Sequence, residues 1–261
     1  MNKTFARTLA LASFILATAI CAGAQQQKEA AKTTGTSTVT TAAPATNANV
    51  KITATTSPID LARAAVASLG GEKYLKLESL VLSGSADLYA PNQTTALPGK
   101  FVMVYASGDR YRLEIQSPAF NFRQIYDGQT SFSSIRGFDF PPPSKLGIGV
   151  LNKYDHPGYS VTALPDKKKQ RAFRITDPEG NATDFYVDAE TGRLASYSYP
   201  YMGNIIGVEH KTYKEIEGVS VPYTLVQKFE TPQGSFFAEF KVKDVKLNIT
   251  LANDVFDIPE K

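Results

Sequence analysis

Apolar and polar residues alternate with period two through most of this chain, and no other feature constrains its fold as strongly. Successive side chains of a strand point to opposite faces. Alternation therefore describes strands with one covered and one solvated face. The longest example is "GSFFAEFKVKDVKLN" (234–248), where Phe236, Ala238, Phe240 and Val242 share one face and Glu239, Lys241 and Lys243 the other. Leu80, Leu82, Ala86 and Leu88 alternate with Val81, Ser83, Ser85 and Asp87. Phe101, Met103 and Tyr105 alternate with Val102 and Val104, and Tyr111, Leu113 and Ile115 with Arg110, Arg112 and Glu114. Similar runs lie at 159–164, 171–176, 183–187, 193–199, 205–213 and 221–229. Short turns separate them, at Gly108-Asp109, Asp127-Gly128, Asp177 to Gly180, Asp188 to Gly192 and Glu217-Gly218. The reading is a mainly β fold with few helices, built from about ten to twelve antiparallel strands.

Two stretches break the pattern. The first is a helix. Ser57 is a good N-cap, Pro58 suits the first helical position, and Asp60 stands where a capping box places its acid. Ile59, Ala62, Val66 and Leu69 fall near one face, and Gly70-Gly71 ends the helix. A short further turn covers 72–77. The second is "GFDFPPPSKLGIGVLNKYDHPGY" (137–159), where three consecutive prolines, Pro141 to Pro143, stop any strand. Leu146, Val150 and Tyr154 can share a helical face, but Gly147 and Gly149 each weaken that helix by about 1 kcal/mol relative to Ala. This segment is expected to form a central lid.

The N-terminus reads as a secretory signal peptide over 1–24. Lys3 and Arg7 precede an apolar core, "LALASFILATAI", which is too short to span a bilayer. Ala22-Gly23-Ala24 then places small residues for cleavage after Ala24. Cys21 is the only cysteine. Cleavage after Ala24 is the expected outcome and removes it, and lipidation, which would keep it as an anchor, is the alternative. Residues 25–56 are rich in Thr and Ala with few large apolar side chains, which describes a disordered linker. As a coil it spans about 30 Å. Residues 57–261 suit one domain. Of the net charge of +3, a net +4 precedes that domain (Lys3, Arg7, Lys28, Lys32 and Lys51 against Glu29), leaving it near −1. No basic footprint for nucleic acid remains.

Catalytic signatures are missing from the sequence. His156 and His210 stand in no ligand spacing and read as structural or surface residues. There is no His-Glu-x-x-His, P-loop or nucleophile elbow. Asp188 and Glu190 belong to a hairpin turn rather than a calcium loop. Asn92, Asn181 and Asn248 each start an Asn-x-Thr triplet, which matters only in a eukaryotic secretory pathway. No catalytic residue, metal site or cofactor is expected.

Several stretches resemble the periplasmic lipoprotein-carrier superfamily of LolA, LolB and LppX-like proteins. They are "LGGEKYLKLESLVLSGSA" (69–86), "IYDGQTSF" (125–132), "FYVDAETGRLASYSY" (185–199), "YKEIEGVSVPY" (213–223) and "DVFDIP" (254–259). Many relatives carry an aromatic such as Trp after the Asp-Gly hairpin, where this chain has Gln129 to Phe132. No site residue is carried over from the family. The resemblance implies a curved antiparallel sheet forming an open half-barrel, its concave face covered by the N-terminal helix and the central lid. It implies a non-enzymatic carrier or chaperone of the bacterial cell envelope or periplasm. The expected ligands are a lipid or lipoprotein acyl chains, and an envelope protein is the expected partner. Nucleic acid is not, and the chain is expected to act as a monomer. The i, i+2 lines Phe101, Met103 and Tyr105, then Leu113 and Ile115, then Phe236 and Phe240 are the candidate ligand-binding residues. The alternative is a secreted scaffold module whose barrel is filled by its own side chains, because alternation looks the same in both cases. Phe256 and Ile258 are expected to tuck the tail against the sheet.

Overall fold

A computed structural model describes residues 52–135, 141–231 and 234–259. The expected signal peptide, its cleavage after Ala24, Cys21 and most of the linker lie outside the described residues, as does the start of the lid segment. Among the described residues the order is α1 (Pro58–Ser68), α2 (Glu72–Leu75), β1 (Ser79–Tyr89), β2 (Leu97–Ala106), β3 (Arg110–Gln116), β4 (Asn121–Tyr126) and β5 (Ser131–Ser133). Then come α3 (Ile148–Leu151), β6 (Ser160–Ala163), β7 (Gln170–Thr176), β8 (Ala182–Asp188), β9 (Leu194–Tyr201), β10 (Asn204–Ile216), β11 (Val219–Thr231) and β12 (Gly234–Leu247). The strands form one antiparallel sheet in the order β5-β4-β3-β2-β1-β12-β11-β10-β9-β8-β7-β6. It does not close, since β5 and β6 are both edges.

The sequence order is a meander with one long closure. Each hairpin pairs neighbouring strands, and β12 returns to β1 to join the two halves. A bulge in that seam adjusts the side-chain phase. Ser83 pairs with Asp244 but Gly84 with Val242, so Lys243 is the extra residue. After it, Val245 and Leu247 face the core where Asp244 and Lys246 would otherwise have pointed. Gly84 makes the bulge feasible. A Cβ there would stand 2.0 Å from the Lys241 carbonyl oxygen.

The first helix forms as its cap residues dictate. The Asp60 amide donates to Ser57 Oγ at 3.3 Å, and Ser57 Oγ donates to Asp60 Oδ2 at 2.6 Å. Leu61, Ala62, Ala65, Val66 and Leu69 are buried in the main core, and α1 packs on β6 and β7. Residues 52–56 lead into it along the same side. Arg171 donates to the carbonyls of Thr53 and Thr56, and Ile52 packs against the core.

The C-terminal tail also packs, but on the outer face. Val104 and Ile125 point away from the main core, and Phe256 covers them together with Leu251, Val255 and Ile258. Arg112 Nη1 donates to the Val255 carbonyl at 2.5 Å, and the Arg110 guanidinium lies over the Phe256 ring at 4.9 Å. Burying Phe256 contributes about 1.5–3 kcal/mol.

Candidate functional site

The concave face is not uniformly filled. Over β6 and β7, α1 supplies the opposing layer, and Phe173 and Phe185 stack at 5.3 Å in the same core. Among the described residues, no helix of comparable length lies over β1–β4 and β10–β12. There α2 and the lid cover a cavity of about 760 Å³, within the roughly 300–1,000 Å³ typical of small-molecule pockets. Its wall is mostly apolar. Side chains of the described residues therefore do not fill this half-barrel.

Met103, Tyr105, Leu113, Ile115, Phe236 and Phe240 line this cavity. The sheet brings them together because Met103 pairs with Leu113 across β2–β3 and Leu82 pairs with Met103 across β1–β2. Phe101 is not on the wall. It is 2% exposed and meets Phe240 edge-on at 5.0 Å, so it supports the wall from behind. Phe236 is exposed at the rim, where it pairs with Phe229.

Sequence reasoning missed a polar cluster in the same wall. Tyr74 from α2, Tyr105 from β2, Tyr111 from β3 and Tyr197 and Tyr199 from β9 all line the cavity. The Tyr105 and Tyr111 rings lie 5.0 Å apart, and those of Tyr197 and Tyr199 6.5 Å apart. Burial pushes all five phenols above their usual range, and nearby tyrosines add to this for Tyr74, Tyr111, Tyr197 and Tyr199. They are neutral at physiological pH. The period-two spacing of Tyr197 and Tyr199 signals one face, but nothing local signals that β9 turns toward β2 and β3.

His210 completes the wall beside Tyr197, with rings 5.8 Å apart. Tyr213 donates its hydroxyl proton to the Leu194 carbonyl at 2.7 Å. Its oxygen therefore accepts from His210 Nδ1, 2.5 Å away, which assigns the proton to Nδ1. Burial lowers the His210 pKa to about 4. His156 is exposed and packs edge-on to Tyr159. Among the described residues no group of three His, Cys, Asp or Glu side chains converges as metal ligands would.

The lid meets the tyrosines directly. Leu146, Val150 and Leu151 are buried, but only residues of α3 are helical. Gly147 has φ +103, and a Cβ there would stand 3.1 Å from the Tyr197 ring and 3.4 Å from Tyr199. Its amide donates to the buried Thr183 hydroxyl at 3.2 Å. The glycine that weakens the helix in sequence is thus required by close approach to the cavity floor.

Fold and cavity together define a class, the open antiparallel half-barrel with a partly covered concave face. Within that class the fold is LolA-like. A LolA superfamily protein from Nitrosomonas europaea superposes with a TM-score of 0.52 at 12% identity, over 78% of this chain and 98% of that one. A DUF1329 family protein from Desulfovibrio piger gives 0.51 at 12% identity, over 77% and 98%. No protein-family model matches the sequence, and no curated protein matches it.

Proposed function

We propose that this protein is a non-enzymatic carrier or chaperone of the bacterial cell envelope, holding a lipid or lipoprotein acyl chains in its half-barrel. The observation that carries this reading is the cavity of about 760 Å³, walled mainly by apolar side chains and roofed by a lid. Each CH₂ moved from water into such a site contributes about 0.8 kcal/mol. The LolA-like fold supports the same reading. Met103, Tyr105, Leu113, Ile115, Phe236 and Phe240 contact the chain in this proposal, and Phe101 holds Phe240 in place.

The proposal extends to processing and location. Residues 1–24 direct export and are removed after Ala24, 25–56 form a linker whose last residues, 52–56, pack on the domain, and 57–261 form a monomeric carrier domain. Native mass spectrometry with lipid extraction of protein purified from envelopes tests the carrier role. A bound lipid of defined mass is expected. Ligand-free protein that also fails to bind the neutral fluorophore N-phenyl-1-naphthylamine would overturn it. N-terminal sequencing should begin at Gln25, and palmitate on Cys21 would instead make the protein a tethered lipoprotein.

A further inference from the structure

The wall carries more polar groups than chain binding requires, and they gather in one place. Tyr74, Tyr105, Tyr111, Tyr197 and Tyr199 come from elements on both sides of the curved sheet and line one cavity, with the Tyr105 and Tyr111 rings 5.0 Å apart and those of Tyr197 and Tyr199 6.5 Å apart. Buried phenols ordinarily find a partner. Tyr105 has only the Met103 sulfur, at 3.5 Å. The hydroxyls of Tyr111, Tyr197 and Tyr199 make no hydrogen bond to another described residue. Asn152, on the same wall beside Tyr74, has a buried Oδ1 without a partner among the described residues. These hydroxyls open onto the cavity, so their partners are water or the polar head of a ligand held there.

The charged groups of the described wall are already engaged. Lys153 Nζ donates to Asp109 Oδ2 at 2.7 Å and to the Ser144 carbonyl at 3.3 Å. Arg110 donates from Nε to the Ser107 carbonyl at 3.0 Å, and its guanidinium covers Phe256 on the outer face. A carboxylate or phosphate drawn into this chamber would meet phenols and a neutral imidazole. Burying an anion without a cation costs several kcal/mol. A hydroxyl, ester or amide carries no such cost and can both accept from and donate to phenols.

We propose that the ligand is an uncharged amphiphile, with its chain along the apolar wall and its hydroxyl- or carbonyl-bearing head among Tyr105, Tyr111, Tyr197 and Tyr199. This rests on the carrier reading above. It narrows the ligand class from any acyl chain to acylglycerol-like or similarly neutral lipids.

Displacement of N-phenyl-1-naphthylamine tests it, using 1-decanoylglycerol, methyl decanoate and decanoate at pH 8. The glycerol ester should displace the fluorophore at about one-tenth the concentration of decanoate or less. In the Tyr111→Phe/Tyr199→Phe variant its affinity should fall about three- to tenfold per lost hydrogen bond. Methyl decanoate, which lacks the glycerol hydroxyls, should change less. If that variant does not fold, Tyr199→Phe alone serves for the comparison. Decanoate binding as well as the ester, or an ester affinity unchanged by the Phe substitutions, would overturn the head-group assignment and leave the carrier reading standing. A wild type that binds neither fluorophore nor lipid would overturn both.

Discussion

Replacing an apolar residue by Asn separates a cavity wall from a packed core, and Leu113 and Phe240 make the comparison. Both line the chamber, but their surroundings differ. Leu113 pairs across β3–β4 with Gln124, a polar side chain of the same face. An Asn there can hydrate from the cavity or bond to that neighbour, so the loss is mainly Leu burial, about 1.5–3 kcal/mol. Phe240 is 1% exposed and packs edge-on against Phe101 at 5.0 Å. Losing its ring should cost about 3–5 kcal/mol, and an amide trapped against Phe101 adds about 1–3 kcal/mol. Against a typical stability of about 5–15 kcal/mol, Leu113→Asn should stay folded and Phe240→Asn should be marginal. Urea unfolding gives both losses from the shift in midpoint, and titration with N-phenyl-1-naphthylamine gives binding. Leu113→Asn should lose most fluorophore affinity while keeping its fold. Equal and large losses of stability, with no fluorophore binding by the wild type, would show that the wall is closed core and refute the reasoning.

Three further outcomes follow from the same structure. His210 is held neutral in the fold, with a pKa lowered to about 4 from 6.5. The unfolded chain therefore gains a proton first, and stability should fall by about 1–3 kcal/mol between pH 6.5 and 4 and level off below; urea midpoints across that range should show a smaller fall in His210→Gln. Gly147→Ala puts a Cβ 3.1 Å from the Tyr197 ring at positive φ, whereas Gly180→Ala, also at positive φ, meets nothing within 4 Å. Both should lose about 1 kcal/mol or more for the backbone, and only Gly147→Ala should also speed amide exchange in residues 142–151. Phe256→Ala uncovers Val104 and Ile125 on the outer face and should cost about 1.5–3 kcal/mol. Its fluorophore affinity should stay within about twofold, since the tail packs on the face opposite the cavity; a larger loss would show that tail and chamber are coupled.

Local chemistry determined most of what the sequence made legible. Period two in residues 80–88, 101–105 and 236–242 produces strands because alternate side chains share a face whatever lies opposite. Ser57, Pro58 and Asp60 start α1 because cap hydrogen bonds close within one turn. The candidate lines at Met103, Leu113 and Phe240 were readable for the same reason. Tertiary structure decided what each face meets. Alternation is identical over β7, where α1 fills the concave side, and over β3, where a cavity lies instead, so chain length and curvature had to place the helix. The bulge at Lys243 reversed the phase of Val245 and Leu247 without any signal in their own spacing. The tail's Phe256 could have packed on either face of the sheet, and Val104 and Ile125 fixed it to the outer one. The tyrosine cluster draws residues from α2, β2, β3 and β9, which are far apart in sequence and not adjacent across the whole sheet. Only the curvature of the half-barrel brings them together, and that curvature belongs to the packed sheet rather than to any one strand.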